Sequence, residues 1–167
     1  ALRQAAREGL PKEKITDLGF YALFSGIIGA RVLFIVTNWP HFSEHPVDMI
    51  KIWEGGLVFY GGVIFALPTV LWYAKKQGLK LWQTIDVWAP SIAIGHALGR
   101  LGCFCAGCCY GKPTDLPWAV TFSNTESLAI LGVPLHPTQL YEAAAELMNF
   151  AVLLVIRKKK TFHGQIF

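Results

Sequence analysis

Charge is scarce in this chain. Asp, Glu, Lys and Arg make up 16% of its 167 residues, against roughly a quarter in a soluble domain. The deficit argues against an ordinary soluble fold, and it is uneven: long stretches carry almost no charge, and the charges bunch between them. Low-complexity tracts and internal repeats are absent, so neither a disordered tail nor a repeat array is expected. Cysteine is absent outside residues 103–109. A structural zinc site built from two separated cysteine pairs therefore lacks its second pair.

Apolar length, by contrast, is abundant: 53% of the residues are hydrophobic. A spanning helix needs about 20 mostly apolar residues, because the hydrocarbon core is roughly 30 Å thick and each helical residue rises about 1.5 Å. Four segments reach that length, at 17–38, 55–74, 85–103 and 137–156. Four such runs exclude a lone signal sequence. The pattern predicts an all-α, polytopic membrane protein with one transmembrane domain over residues 1–167. Ala1 opens the chain and Phe167 closes it, which reads as an internal piece of a longer protein.

Basic residues set the orientation. Arg3, Arg7, Lys12, Lys14, Lys75, Lys76, Lys80, Arg157, Lys158, Lys159 and Lys160 all flank one side of the predicted spans. The opposite connections hold only Lys51 and Lys112. The positive-inside rule assigns the basic side to the cytoplasm, and Trp39, Trp53 and Trp118 suit an interfacial belt on the other. The net charge of +4 is thus a matter of topology, and no nucleic-acid partner is implied.

Two arginines interrupt the apolar runs, Arg31 in the first and Arg100 in the third. A central arginine costs about 2.5–3.5 kcal/mol to insert, so each needs a partner or a wet cavity. One reading has both gripping an anion at a shared cavity. At that depth the anion would be a lipid phosphate, which a planar guanidinium holds with two hydrogen bonds. The other has each arginine snorkelling or paired with an acidic side chain. Gly95, Gly99 and Gly102 share one helix face, and His96, Arg100 and Cys103 form the adjacent stripe. His96 reads either as a packing residue or as a catalytic one. Ser25, Gly26, Gly29 and Ala30 make small-xxx-small pairs suited to close helix approach. The run Gly55-Gly56-Leu57-Val58-Phe59-Tyr60-Gly61-Gly62 reads as a place where backbone meets a ligand, though an interfacial tyrosine is often inert.

Cys103, Cys105, Cys108 and Cys109 leave three readings open. They are a metal site, since Cys105 and Cys108 form a C-x-x-C; a disulfide at an oxidising face; or small apolar filling. From sequence, no metal and no cofactor is assigned.

These motifs together resemble those of the prolipoprotein diacylglyceryl transferase family. Residues 55–62 resemble the family's Gly-Gly-…-Phe-His-Gly-Gly element. Residues 97–102 (ALGRLG) resemble its Gly-Arg-x-Gly-Asn-Phe signature. Residues 110–118 (YGKPTDLPW) and 136–142 (HPTQLYE) match family stretches, and Gly29-Ala30-Arg31 matches an earlier Gly-Gly-Arg. The resemblance covers essentially the whole chain. It departs at three positions: Tyr60 stands for the family histidine, Cys103 for the asparagine after Gly-Arg-x-Gly, and Cys108 for a glutamate.

The resemblance implies an enzyme of lipoprotein biosynthesis in the bacterial cytoplasmic membrane, with its site toward the outer leaflet. Its reaction moves a diacylglyceryl group from phosphatidylglycerol to the lipobox cysteine thiol in a preprolipoprotein signal peptide. Arg100 and Tyr60 would be catalytic. Arg100, Arg31, Gly61, Gly62, Gly99, Gly102, His136, Gln139 and Glu142 would bind substrate. A phenol is a poor general base at neutral pH, so Tyr60 also leaves room for two alternatives. One is a diverged, non-catalytic lipid- or metal-binding membrane protein. The other is a thiol-redox protein using the Cys103–Cys109 cluster.

Overall fold

The computed structural model describes residues 1–167, and the chain is mostly helical. Six helices form: α1 (Leu2–Arg7), α2 (Lys12–Thr37), α3 (Trp39–Glu44), α4 (Phe59–Lys76), α5 (Leu81–Ala106) and α6 (Thr138–Lys158). Two 3-10 turns, Pro46–Ile50 and Ile52–Glu54, follow α3. Strands β1 (Val120–Thr121) and β2 (Pro134–Leu135) pair antiparallel, with Val120 opposite Leu135.

Each predicted apolar segment therefore folds as a helix. Two of them, α2 and α6, are long and apolar enough to cross a membrane. Their apolar windows are only 17% and 11% buried, unlike the core helix of a soluble protein. Phe24, Ile28 and Val36 of α2 and Met148 and Val155 of α6 point outward. The other two helices fall short of that test for identifiable reasons. Helix α4 has 18 residues and ends in Lys75 and Lys76, and α5 carries Gln83, Asp86, His96 and Arg100. Helices α4 and α6 both place basic residues in their last turn, where the helix dipole favours them.

The chain divides into two compact units, Ala1–Thr84 and Ile85–Phe167. In the first, α2 packs along α4 through glycines. A Cβ at Gly29 would collide with the Gly61 carbonyl oxygen and lie 2.5 Å from Phe65 Cβ. A Cβ at Gly61 would strike the Gly29 carbonyl and lie 2.6 Å from Leu33 Cβ. Only bare backbone permits this crossing, as the small-xxx-small spacing predicts. The Val58 amide donates to the Ala30 carbonyl at 3.1 Å, fixing where α4 starts. At the opposite end, Lys14 Nζ donates to the Gln77 carbonyl (2.9 Å) and the Tyr73 hydroxyl to Asp17 (3.1 Å).

In the second unit Asp86 is buried. Its carboxylate accepts the amides of Gly164 (2.6 Å) and Ile166 (2.9 Å) and pairs with Lys160 Nζ at 2.9 Å. The segment after α6 is thereby tied back onto α5. Pro68 and Pro90 lie within continuous helices.

Candidate active site

Arg31 is buried near the end of α2. The loop between α3 and α4 wraps around its guanidinium. Nε donates to the Met49 carbonyl (2.9 Å), Nη1 to Gly55 (2.7 Å) and Gly56 (3.1 Å), and Nη2 to Asp48 and Lys51 (3.2 Å). A guanidinium has five N–H donors, and here all five meet backbone carbonyls. The Phe34 and Phe42 rings lie 5.4 and 5.5 Å from Arg31 Cζ, within cation–π range. An anion could reach this guanidinium only by displacing carbonyls. Gly55 and Gly56 adopt φ of 88° and 76°, which turns their carbonyls inward at little steric cost. They end the loop, and the helix begins at Phe59 instead of Gly55 as predicted. Nearby, Lys51 Nζ meets Asp48 Oδ1 at 2.6 Å. This contact holds the Asp48 carboxyl below its usual range against a smaller desolvation, and raises Lys51.

Tyr60 sits on the first turn of α4, 73% exposed. Gly61 is buried against α2. Gly62 lines an apolar groove of about 350 Å³ with Leu23, Ile27, Phe59 and Val63.

The second unit holds Arg100, half-buried on α5. Its Nε lies 2.6 Å from Glu142 Oε2 of α6. The contact is a close ion pair, and Nε itself is buried. One turn earlier, His96 Nδ1 lies 3.1 Å from Glu146 Oε1. His96 and Arg100 are four residues apart, and so are Glu142 and Glu146. The two side-chain pairs thus form a ladder between α5 and α6, because residues four apart stack on one helix face. His96 and Glu146 also line a cavity of about 240 Å³ with Ala93, Asn149, Leu153 and Phe167. A Cβ at Gly95, Gly99 or Gly102 would meet open space.

At the start of α6 the Tyr141 hydroxyl accepts from Trp118 Nε1 (2.7 Å) and lies 3.2 Å from His136 Nδ1. Gln139, fully buried, donates to the Cys108 carbonyl at 2.6 Å, and its Oε1 has no partner. Thr138 donates to the Cys109 carbonyl at 2.8 Å. Of the four free cysteines, Cys103, Cys108 and Cys109 bring their sulfurs within 4.8 Å of one another. Burial, with hydrogen bonding to Cys103 and Cys109, pushes the Cys108 thiol up to about 11.

Residues 1–167 match the family model described as prolipoprotein diacylglyceryl transferase. The chain belongs to that family. Three relatives carry the name phosphatidylglycerol–prolipoprotein diacylglyceryl transferase. That of Finegoldia magna is 38% identical over 99% of this chain and 64% of its own length. That of Geobacillus kaustophilus is 36% identical over 100% and 63%, and that of Bordetella avium 36% identical over 94% and 59%. The chain thus spans just under two thirds of the length of these relatives.

Within this transferase family member, three site features escaped the sequence reading. Glu146 went unremarked, although its four-residue spacing from Glu142 repeats that of His96 and Arg100. Tyr141, inside the HPTQLYE stretch, joins Trp118 to His136. Asp86 went unremarked as well. Its signal was a lone carboxylate at the same end as the Lys158–Lys160 cluster.

Proposed function

We propose that the full-length protein transfers a diacylglyceryl group from phosphatidylglycerol to the lipobox cysteine thiol of preprolipoproteins. In this reading α2, α4, α5 and α6 all span the bacterial cytoplasmic membrane as one domain, with the α5–α6 ladder toward the outer leaflet. The observation that carries it is Arg100, a guanidinium on an apolar helix held 2.6 Å from Glu142, in a chain whose curated relatives carry that activity in their names.

The reaction breaks the bond between glycerol carbon and phosphate oxygen and forms a carbon–sulfur bond. Glycerol phosphate leaves, and the thiol proton must be taken up. Arg100 binds the phosphate and stabilises the charge that builds on it, with Glu142 holding the guanidinium in place. His96 takes the thiol proton: Nδ1–H donates to Glu146, which leaves Nε2 as the acceptor. The unpartnered Gln139 Oε1 suits a headgroup hydroxyl. Arg31 organises the outer loop, since its donors are spent on carbonyls.

Complementation tests this. The full-length gene is expressed in a bacterium depleted of its own transferase, and lipoprotein maturation is followed by gel shift. Rescue by the wild type and none by Arg100→Ala, at equal membrane levels, is the expected result. Failure of the inserted wild-type protein to mature any lipoprotein would overturn the catalytic reading and leave a lipid- or metal-binding membrane protein. Maturation by Arg100→Ala at the wild-type rate would remove Arg100 from the reaction.

A further inference from the structure

Cys103, Cys108 and Cys109 are brought together by the backbone that closes α5. Helix α5 ends in a Schellman motif: the Gly107 amide donates to the Phe104 carbonyl (3.1 Å) and the Cys108 amide to the Cys103 carbonyl (3.0 Å). Gly107, at φ 71°, makes the left-handed turn this closure needs. The motif sets Cys108 back over Cys103, where a plain apolar contact normally sits. Apolar packing would account for those two residues. It does not account for Cys109, the only non-glycine residue with positive φ, at 58°. A left-handed conformation costs an ordinary L-residue about 1–2 kcal/mol, and glycine would supply the same turn without that cost. Thr138 and Gln139 of α6 hold the carbonyls of Cys109 and Cys108, so the turn is fixed from outside and the third sulfur is delivered to the other two. Cys105, two positions along the helix from Cys103, faces elsewhere and is exposed.

We propose that Cys103, Cys108 and Cys109 form a binding site for a soft metal ion, Cu(I) or Zn(II), which pins the end of α5 to the turn above it. Three sulfurs bound at about 2.3 Å in a trigonal plane sit about 4 Å apart, and these three already lie within 4.8 Å of one another. The donor set is all sulfur, which selects thiophilic ions over Mg²⁺, Ca²⁺ or Mn²⁺. On binding, each thiol releases its proton to solvent and forms one sulfur–metal bond. No electron is transferred. Cu(I) is satisfied by three thiolates, whereas Zn(II) would take water as a fourth ligand.

The test uses the full-length protein in detergent, purified with reductant and stripped of metal. It is titrated anaerobically with Cu(I) and separately with Zn(II), each against a chromophoric chelator. One ion per chain is expected for the wild type and for Cys105→Ser. At least 100-fold weaker binding is expected for Cys103→Ser, Cys108→Ser and Cys109→Gly. The last variant removes a sulfur where the backbone favours glycine, so its metal-free melting temperature should match or exceed that of the wild type. X-ray absorption on the loaded wild type should count three sulfurs and needs no variant. A stoichiometric Cu(I) or Zn(II) lost with Cys109 supports the site and identifies the ion. No stoichiometric binding of either would overturn the proposal. So would equal loss in Cys105→Ser, or a disulfide among the three in protein isolated from cells under alkylation. Because the readout is metal and not lipid transfer, it stands apart from the complementation test.

Discussion

Arg31 and Arg100 both stand in apolar helices, yet their partners differ in kind. Arg31 gives every donor to the carbonyls of 48, 49, 51, 55 and 56, while Arg100 pairs with the Glu142 carboxylate. Arg31→Ala should therefore strand several carbonyls and lower stability by about 3 kcal/mol. Arg31→Lys should recover only part, since an ammonium lacks the planar fork. Hydrogen exchange across residues 48–56 in the full-length protein reads this directly, and unchanged protection in Arg31→Ala would refute the loop role. For His96 the expected effect is kinetic. A base of this kind contributes roughly 10²–10⁴-fold, so His96→Gln should cut kcat by that order with little change in KM. Glu146→Gln should cost less, because it orients the ring without touching the thiol. Wild-type kcat in both variants would reduce the pair to packing.

At the level of helices, glycine separates into two uses. Gly29 and Gly61 lie where a Cβ would strike backbone, whereas Gly95 lies in open space. Gly29→Ala and Gly61→Ala should each destabilise by about 1–3 kcal/mol through overpacking. Gly95→Ala should be neutral or stabilising by up to about 1 kcal/mol, through helix propensity alone. Thermal melts of the three variants distinguish these outcomes, and a uniform response would contradict the geometry. The same contrast explains what could be read in advance. Apolar length located α2, α4, α5 and α6, and small-residue spacing marked the face of α2 that makes a close crossing, because both are short-range patterns. Helix starts were less legible. Helix α2 begins at Lys12, ahead of the apolar run, with Ile15 buried in its first turn, and α4 waits until Phe59 because Gly55 and Gly56 bend toward Arg31. Arg31's role was hidden, since its acceptors are backbone groups 17 to 25 residues away that carry no side-chain signature. The ladder was partly visible: His96 and Arg100 stood out for their rarity in an apolar run, Glu142 stood out through the HPTQLYE stretch, and Glu146 blended into the start of α6.

For the whole molecule, orientation decides what the ladder can meet. Helix α5 runs from Leu81, beside Lys75, Lys76 and Lys80, to Ala106. Arg100 lies six residues before that end, about 9 Å along the axis. If the basic connections are cytoplasmic, Arg100 sits at the depth of outer-leaflet phosphates, and the hairpin of β1 and β2 lies outside. Single cysteines placed at Gly78 and at Asn124 of the full-length protein, in a background lacking the native four, test this with a membrane-impermeant maleimide on intact cells. The outer membrane, where the host has one, is permeabilised first. Residue 124 should label before lysis and residue 78 only after it. The reverse pattern would put Arg100 at the cytoplasmic leaflet, away from any exported acceptor thiol, and transfer to such a thiol would then have no physical route. Labelling of both before lysis would mean that α4 and α5 do not form a membrane-crossing pair, and the four-span reading would fall while the α5–α6 ladder, a contact within one unit, would stand.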